Sequence, residues 1–161
     1  MISIRKAIQE DCHKIWPIIK QVNNRGDSFS FLPETSEKEM MEYWMAKDKH
    51  VYVAEEKNAI LGSFYLRDNQ PGLGAHIANA AYAVSELSRG KGIGRLMGEF
   101  SIQEAKHLGY KAMQFNLVVK TNETAVKLWK SLGFEIIGET PEAFKHQQHG
   151  FVNAYIMYQK L

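Results

Sequence analysis

The stretch AVSELSRGKGIGRLM, residues 83–97, joins an apolar segment to a helical pattern through a basic, glycine-rich turn. The turn alternates glycine with larger residues between two arginines: Arg89, Gly90, Lys91, Gly92, Ile93, Gly94 and Arg95. Glycines let backbone amides converge, and the first N–H groups of the following helix have no partner inside it. The helix dipole and the basic side chains add positive charge. The turn therefore predicts a phosphate site, with pyrophosphate as the favoured ligand.

Two common nucleotide patterns do not fit this turn. The P-loop pattern requires G-x-x-x-x-G-K-[ST], which is absent. The dinucleotide fingerprint requires G-x-G-x-x-G early in the chain and an acid about 20 residues later. Here the spacing is G-x-G-x-G, and the next strand carries Asn116 instead of an acid. The other interpretation is an ordinary glycine-rich turn with solvated basic side chains.

Composition narrows the class of protein. The 161 residues are 45% hydrophobic and 24% charged, with a net charge of +2. These values are typical of a globular protein, and the length predicts a single domain that spans residues 1–161. The basic residues are scattered, which argues against a nucleic-acid binder. The single cysteine, Cys12, excludes an internal disulfide and cysteine zinc motifs. We expect a cytoplasmic location, since no signal-peptide or transmembrane pattern is present.

Two periodicities alternate along the chain. Alternating or continuous apolar residues predict strands at 2–8, 50–56, 60–66, 76–84, 111–119, 134–139 and 151–159. Helical spacing predicts four helices. Their predicted start signals are, in chain order, an N-cap at Asp11, a capping box of Ser36 and Glu39, the glycine turn, and an N-cap at Asn122. Residues 23–31 and the polar insert 140–150 are predicted as loops, and Lys57–Asn58 as the turn of a hairpin between two strands. This order predicts a single α/β domain with a mixed sheet.

Three segments resemble the GNAT superfamily of N-acetyltransferases. The turn resembles the family's acetyl-CoA pyrophosphate motif, AYAVSELSRGKGIGRLM resembles its fourth strand, loop and third helix, and FNLVVKTNETAVKLWKSLGF resembles its fifth strand and fourth helix. The stretches HIANAAY and RGKGIGRLMGE also resemble the branch that acetylates proline analogues such as azetidine-2-carboxylate. The resemblance implies a twisted, mostly antiparallel sheet of about seven strands, flanked by about four helices and splayed at its centre.

The resemblance also implies where acetyl-CoA binds. The cosubstrate would enter the gap between the fourth and fifth strands, pairing with the backbone of Tyr82 and Val84. The amides of Arg89, Gly90, Lys91, Gly92, Ile93, Gly94 and Arg95 would hold its pyrophosphate. Leu117, Asn122 and Trp129 match family positions near the cofactor. Two alternatives stay open, because Asn122 also suits a helix cap and Trp129 also suits the core.

The catalytic prediction departs from the family pattern. In many family members a tyrosine on the fourth helix acts as the general acid, and the matching position here is Trp129. Many members also have a glutamate on the fourth strand as the general base, whereas this strand has Asn79 and no carboxylate. We therefore predict that Asn79 positions the attacking amine and that Asn116, or the N–H of Leu117, donates to the thioester oxygen. The alternative is that both amides only bond neighbouring backbone. His76 is a weaker candidate for a base.

Other polar residues carry weaker hypotheses. His146 and His149 lack a third metal ligand, and we predict no metal. Residues 29–32 and 142–151 are expected around the acceptor, where Arg25, Lys145 or His146 are candidates for binding a carboxylate.

The predicted activity is acetyl-CoA-dependent N-acetylation of a primary or secondary amine, in a small molecule or amino acid, by direct attack in a ternary complex. A noncatalytic acetyl-CoA-binding module and a protein or peptide N-acetyltransferase are the alternatives. We expect a small-molecule amine partner, no nucleic acid and no membrane, with a homodimer as an alternative state.

Overall fold

The computed structural model describes residues 1–161. Seven strands cover Ser3–Lys6 (β1), His50–Glu56 (β2), Ala59–Asp68 (β3), Ile77–Val84 (β4), Ala112–Val119 (β5), Glu135–His146 (β6) and Gly150–Lys160 (β7). Four α-helices cover Cys12–Arg25 (α1), Glu37–Trp44 (α2), Ile93–His107 (α3) and Glu123–Ser131 (α4). The predicted order of helices and strands and the α/β class are confirmed. None of these helices is both long and apolar enough to cross a bilayer.

The strands form one sheet in the order β1-β2-β3-β4-β5-β7-β6. Every neighbouring pair is antiparallel except β4 and β5, which are parallel. Those two strands pair only where they begin, at Ile77 with Ala112 and Ala78 with Met113. Beyond these pairs the strands separate, so the predicted splay at the centre of the sheet is confirmed.

Helices cover both faces of the sheet. Apolar residues of α3 and α4, including Met97 and Trp129, pack in one core cluster with Phe64 of β3. Apolar residues of α1 and α2 pack in a second cluster, which contains Tyr65 of β3 and Ala83 of β4. Because side chains alternate along a strand, the odd-numbered residues of β4, and those of β3 from position 63 onward, face α1 and α2.

Local sequence signals account for several element ends. The Ser36 hydroxyl accepts from the N–H of Glu39 at 3.2 Å, and the Glu39 carboxylate accepts from the N–H of Ser36 at 3.3 Å, so the predicted capping box is confirmed. Lys57 and Asn58 have φ values of 51° and 66°, which suit the two-residue turn of the predicted hairpin.

The start and the end of α1 differ from prediction. The helix continues to Arg25, inside the predicted loop 23–31, and ends at Gly26, which has φ 61°. Asp11 occupies the N-cap position but makes no side-chain cap, because its carboxylate accepts from the Arg5 guanidinium at 2.8 and 3.0 Å and from the N–H of Ile8.

The polar insert 140–150 is largely strand, which corrects the loop prediction. β6 continues to His146 and pairs with β7 at Phe144 with Val152 and His146 with Gly150. The pairing shifts between Thr140 and Phe144, where Glu142 has φ 48°. This irregularity breaks the two-residue period that predicts a strand.

Candidate active site

A cavity of about 310 Å³ lies where β4 and β5 separate. Its lining comes from the chain between α1 and α2, from α2 and α4, and from three central strands: Ser28, Phe29, Ser30, Phe31, Tyr43, Tyr65, Arg67, Asn79, Ala80, Ala81, Tyr82, Phe115, Asn116, Leu117, Val118, Val119, Asn122, Ala125 and Trp129. The cavity therefore collects the predicted residues Asn79, Asn116, Asn122 and Trp129 in one place.

The glycine turn forms the N-terminus of α3. Gly90 and Gly92 have φ values of 76° and 79°, a conformation that L side chains rarely adopt, and a Cβ at either position would meet nothing within 4 Å. The first hydrogen bond of α3 runs from the N–H of Leu96 to the carbonyl of Gly92. The amides of residues 93–95 precede that bond and are available to an anion.

The basic side chains of the turn are not equivalent. The side chains of Arg89 and Lys91 are exposed, whereas their backbone N–H groups, which are predicted to hold pyrophosphate, donate to carbonyl groups shortly before the turn. Arg95 donates to the Ser131 hydroxyl at 2.7 Å and lies 3.5 Å from the Glu99 carboxylate. Its guanidinium is therefore engaged by α4 and α3, so its predicted contribution to phosphate binding rests on its backbone N–H and its charge.

β4 presents an unpaired edge to the gap. Tyr82 and Val84 pair on one side with Phe64 and Gly62 of β3, and neither pairs with β5. The Tyr82 side chain packs in the core and shares a 2.7 Å hydrogen bond with Ser101. Burial raises the pKa of Tyr82 well above its ordinary value, so its hydroxyl stays protonated.

Asn79 connects the two separating strands. Its side chain is 8% exposed, and its Nδ2 donates to the carbonyl of Gln114 in β5 at 2.9 Å. Asn79 is therefore tied to the backbone two residues before Asn116 and makes no hydrogen bond to Asn116 itself. Asn79 lines the cavity, and its Oδ1 atom makes no hydrogen bond within the chain.

Asn116 lies in an irregular part of β5. Its Oδ1 accepts from Gln114 at 3.1 Å, and its Nδ2 donates to Asn69 at 2.7 Å. The register with β7 shifts between Phe115 and Val118, so Asn116 and Leu117 have no partner residue there. The shift also carries Val118 into the same core cluster as Phe115, so Val118 does not share the exposed face of Asn116 that strict alternation would give it.

Both alternatives left open for α4 have structural support. The Asn122 Oδ1 accepts from the N–H of Ala125 at 3.3 Å, which is the predicted helix cap. Trp129 is 8% exposed, and its ring centroid lies 4.7 Å from those of Phe115 and Tyr82. Both side chains also line the cavity, so their predicted contacts with the cofactor stay predictions.

A Trp129→Phe variant tests whether the indole acts as an acid or only packs. We expect turnover to fall by less than about tenfold, whereas losing a general acid costs about 100- to 10,000-fold. The lost volume should lower the free energy of unfolding by about 1–3 kcal/mol. Steady-state kinetics and denaturant titrations measure the two effects. A larger kinetic loss with unchanged acetyl-CoA affinity would contradict the packing role.

The acceptor end of the cavity differs from prediction in two ways. Phe29 and Phe31 line it, as expected for residues 29–32, but no residue of 142–151 does. Sequence reasoning missed Arg67, which lines the cavity from β3. The two-residue period of β3 could have indicated it, since Arg67 follows Tyr65 on one face.

The three candidate carboxylate binders lie outside the cavity lining. Arg25 is 3.6 Å from Asp27 and 3.7 Å from Glu86. Lys145 is exposed, and the buried His146 accepts through Nδ1 from the N–H groups of Gln148 and His149.

The remaining candidates have no place in the site. His76 is exposed, precedes β4 and does not line the cavity. The pKa of Cys12 is raised, first by burial and then by Asp11, which disfavours a reactive thiolate. No group of three or more histidine, cysteine or acidic side chains is arranged to hold a metal ion.

Comparisons with known proteins agree with this geometry. Residues 16–134 match the acetyltransferase (GNAT) family model. N-acetyltransferase aca1 of Schizosaccharomyces pombe is 35% identical over 150 residues, which are 88% of this chain and 69% of that protein. A GCN5-related N-acetyltransferase from Kribbella flavida superposes with a TM-score of 0.95 at 37% identity, covering 99% of this chain and 98% of that one.

A more distant structure shares the fold. The phosphinothricin acetyltransferase from Sinorhizobium meliloti, solved in complex with AcCoA, has a TM-score of 0.87 and 22% identity, covering 99% of this chain and 88% of that one. The family model spans most of the chain, and the two relatives above 30% identity cover nearly all of it. The chain therefore belongs to the acetyltransferase (GNAT) family and is an acyltransferase.

Proposed function

We propose that residues 1–161 act as one N-acetyltransferase domain that acetylates the amine of a small molecule by direct attack in a ternary complex. The observation that carries this proposal is a single cavity lined both by residues predicted for the cofactor, such as Trp129, and by Phe29, Phe31 and Arg67, which are not predicted for it. Two substrates that share one cavity can react without a covalent enzyme intermediate.

Acetyl-CoA is the cosubstrate of this family and supplies the acetyl group as a thioester. The chain fits it at the glycine turn, where the space beside Gly90 and Gly92 is open and the amides of residues 93–95 precede the first helical hydrogen bond. The unpaired edge of β4 at Tyr82 and Val84 suits an extended, amide-bearing chain.

Polar groups where β4 and β5 separate supply two further functions, stabilisation of the developing oxyanion and orientation of the amine. The backbone N–H of Leu117 donates to the negative charge that develops on the carbonyl oxygen, because this segment of β5 has no register partner on either side. The Asn116 Nδ2 carries two hydrogens, and the one that does not bond Asn69 is available to the same oxygen. The Oδ1 of Asn79 accepts from an N–H of the acceptor amine and orients its lone pair.

Proton removal does not require a side-chain base in this proposal. The cavity lining contains no carboxylate and no histidine. Burial, with the hydrogen bond to Tyr43, raises the pKa of Tyr65, so this phenol is also a poor base. Apolar walls and the charge of Arg67 favour the neutral form of a bound amine. As the amine nitrogen bonds the thioester carbon, the C–S bond would break, CoA would leave as the thiolate, and the nitrogen made cationic by the attack would release one proton to water.

The pH dependence distinguishes this mechanism from base catalysis. Because kcat/KM reports the free enzyme and free substrate, it should rise with pH and level off at the pKa of the acceptor amine itself. Two acceptors of different amine pKa should therefore give two different inflections. One common inflection near neutral pH for both acceptors would indicate a titrating group of the protein.

A panel of amines tests the function directly. Free CoA release is followed with amino acids, simple primary and secondary amines, and short peptides, each against a sample without acceptor. The proposal expects the highest kcat/KM among small molecules and an N-acetylated product by mass spectrometry. A higher kcat/KM for peptide amino termini would support the protein-acetylating alternative instead.

A further inference from the structure

We propose that Arg67 binds the carboxylate of the acceptor, which makes the acceptor an α-amino acid whose amine, primary or secondary, lies at Asn79. This inference rests on the proposed acetyltransferase function and adds the chemical class of the acceptor. It assigns a specificity role to a residue outside the motifs that carry the family resemblance.

The guanidinium of Arg67 lacks a partner inside the chain. Its Nε atom is buried without a hydrogen bond, and none of the chain's side-chain hydrogen bonds or ion pairs involves Arg67. The neighbouring carboxylate of Asp68 accepts instead from the Tyr110 hydroxyl at 2.7 Å. Arg67 as a whole is only half-buried, so the remaining nitrogens of its guanidinium are open to the cavity and free to donate to an anionic ligand.

The surroundings of Arg67 select for a negative charge. Arg67 is the only residue with a formal charge among those that line the cavity, and no acid there neutralises it. A planar guanidinium can bind a carboxylate through two parallel hydrogen bonds. A simple alkylamine would instead place its ammonium form beside an unpaired cation.

The sheet register explains why an α-amino acid fits. Arg67 of β3 and Asn79 of β4 are directly paired, so their side chains stand next to each other on the face covered by α1 and α2. Side chains in such pairs start about 5 Å apart. One carbon separates the amine and the carboxylate of an α-amino acid, so one molecule can contact both side chains at once.

The walls beside this pair are aromatic. Phe31 packs edge-to-face on Tyr43 with ring centroids 4.9 Å apart, and Tyr65 lies 6.3 Å from Tyr43. These rings and Phe29 line the cavity next to Arg67. They offer a surface for an apolar acceptor side chain, so we expect hydrophobic amino acids to be preferred over charged ones.

The experiment compares an amino acid with its own carboxamide and with the amine that lacks the carboxylate, for example leucine, leucinamide and 3-methylbutylamine. The wild type, Arg67→Gln and Arg67→Lys are measured at one pH. A charge-assisted hydrogen bond predicts that the wild type prefers leucine over leucinamide by roughly 10- to 100-fold in kcat/KM. At one pH, leucinamide has more of its amine in the neutral, reactive form, because its amine pKa is lower than that of leucine. A preference for leucine would therefore have to outweigh this advantage of leucinamide.

Both variants should reduce the preference for leucine over leucinamide, Arg67→Gln more than Arg67→Lys. Arg67→Gln should reduce the ratio to within about threefold of unity, mainly through the KM of leucine, and Arg67→Lys should retain part of it. Arg25→Gln, which removes an arginine outside the cavity, serves as the matched control and should keep the full ratio. The melting temperature of Arg67→Gln should change little, because no hydrogen bond or ion pair within the chain is lost.

Two results would overturn the inference. Equal kcat/KM for leucine and leucinamide in the wild type, or an unchanged ratio in Arg67→Gln, would show that Arg67 does not recognise a carboxylate, while acetylation of neutral amines would leave the proposed function standing. If acetyl-CoA binds but no amine in the panel is acetylated, both the proposed function and this inference fail.

Discussion

Alanine in place of Gly92 is expected to weaken acetyl-CoA binding by at least about 100-fold, because the added methyl group enters the space where phosphate oxygens approach the backbone. Gly92 is the N-cap of α3, with φ 79°, and its Cβ direction is open in the structure. The variant should therefore fold, at a cost of about 1–2 kcal/mol for the left-handed conformation. Isothermal titration with acetyl-CoA measures the affinity.

Gly109→Ala is the matched control for backbone strain. Gly109 lies at the opposite end of the same helix with φ 90°, and its Cβ would likewise meet nothing within 4 Å. This variant should lose similar stability but keep the affinity for acetyl-CoA. Equal affinities in the two variants would refute the phosphate site. A substitution at Gly94 would test the phosphate site less directly. A Cβ at this position would lie 3.5 Å from the Leu128 side chain, so a larger residue such as valine would also disturb α4.

Local chemistry made much of the fold predictable from the sequence. The capping box at Ser36, the turn at Lys57 and Asn58, and the Asn122 cap each depend on residues within a few positions of one another, and each forms as expected. The glycine turn is also local, since its strand, its positive φ angles and the helix start are adjacent in the chain. Such signals are readable without knowing the tertiary structure.

The unpredicted parts depend on tertiary pairing. The Asn79 amide bonds a carbonyl on a strand 35 residues away, and the β5 irregularity becomes visible only against β7. Arg67 looked like an ordinary surface arginine near the end of a strand, because its missing partner is a property of the folded cavity. Polar residues within apolar strands thus indicated that a site is present. Their individual contacts could not be predicted, because these depend on how the strands pair in the folded sheet.

Replacing Asn79 with alanine is expected to lower kcat/KM by roughly 10- to 1000-fold, the scale of losing an orienting contact to the reacting amine. The same change leaves the Gln114 carbonyl in β5 without its donor, which should cost about 1–3 kcal/mol of stability. Acetyl-CoA affinity should change little, because the phosphate loop lies at the other end of β4. Kinetics, titration and melting curves are measured together on one preparation.

Asn79→Asp separates the catalytic role from the structural one. The aspartate keeps an oxygen that can accept from the amine, but its carboxylate cannot donate to the Gln114 carbonyl. If Asn79 positions the amine, the aspartate variant should retain more kcat/KM than alanine at a temperature where both are folded, although it is no more stable. If Asn79 only ties β4 to β5, activity should follow stability, and the aspartate variant should be at least as impaired as alanine. Because Asn79 lines the cavity and its Oδ1 atom makes no hydrogen bond within the chain, we expect the first result.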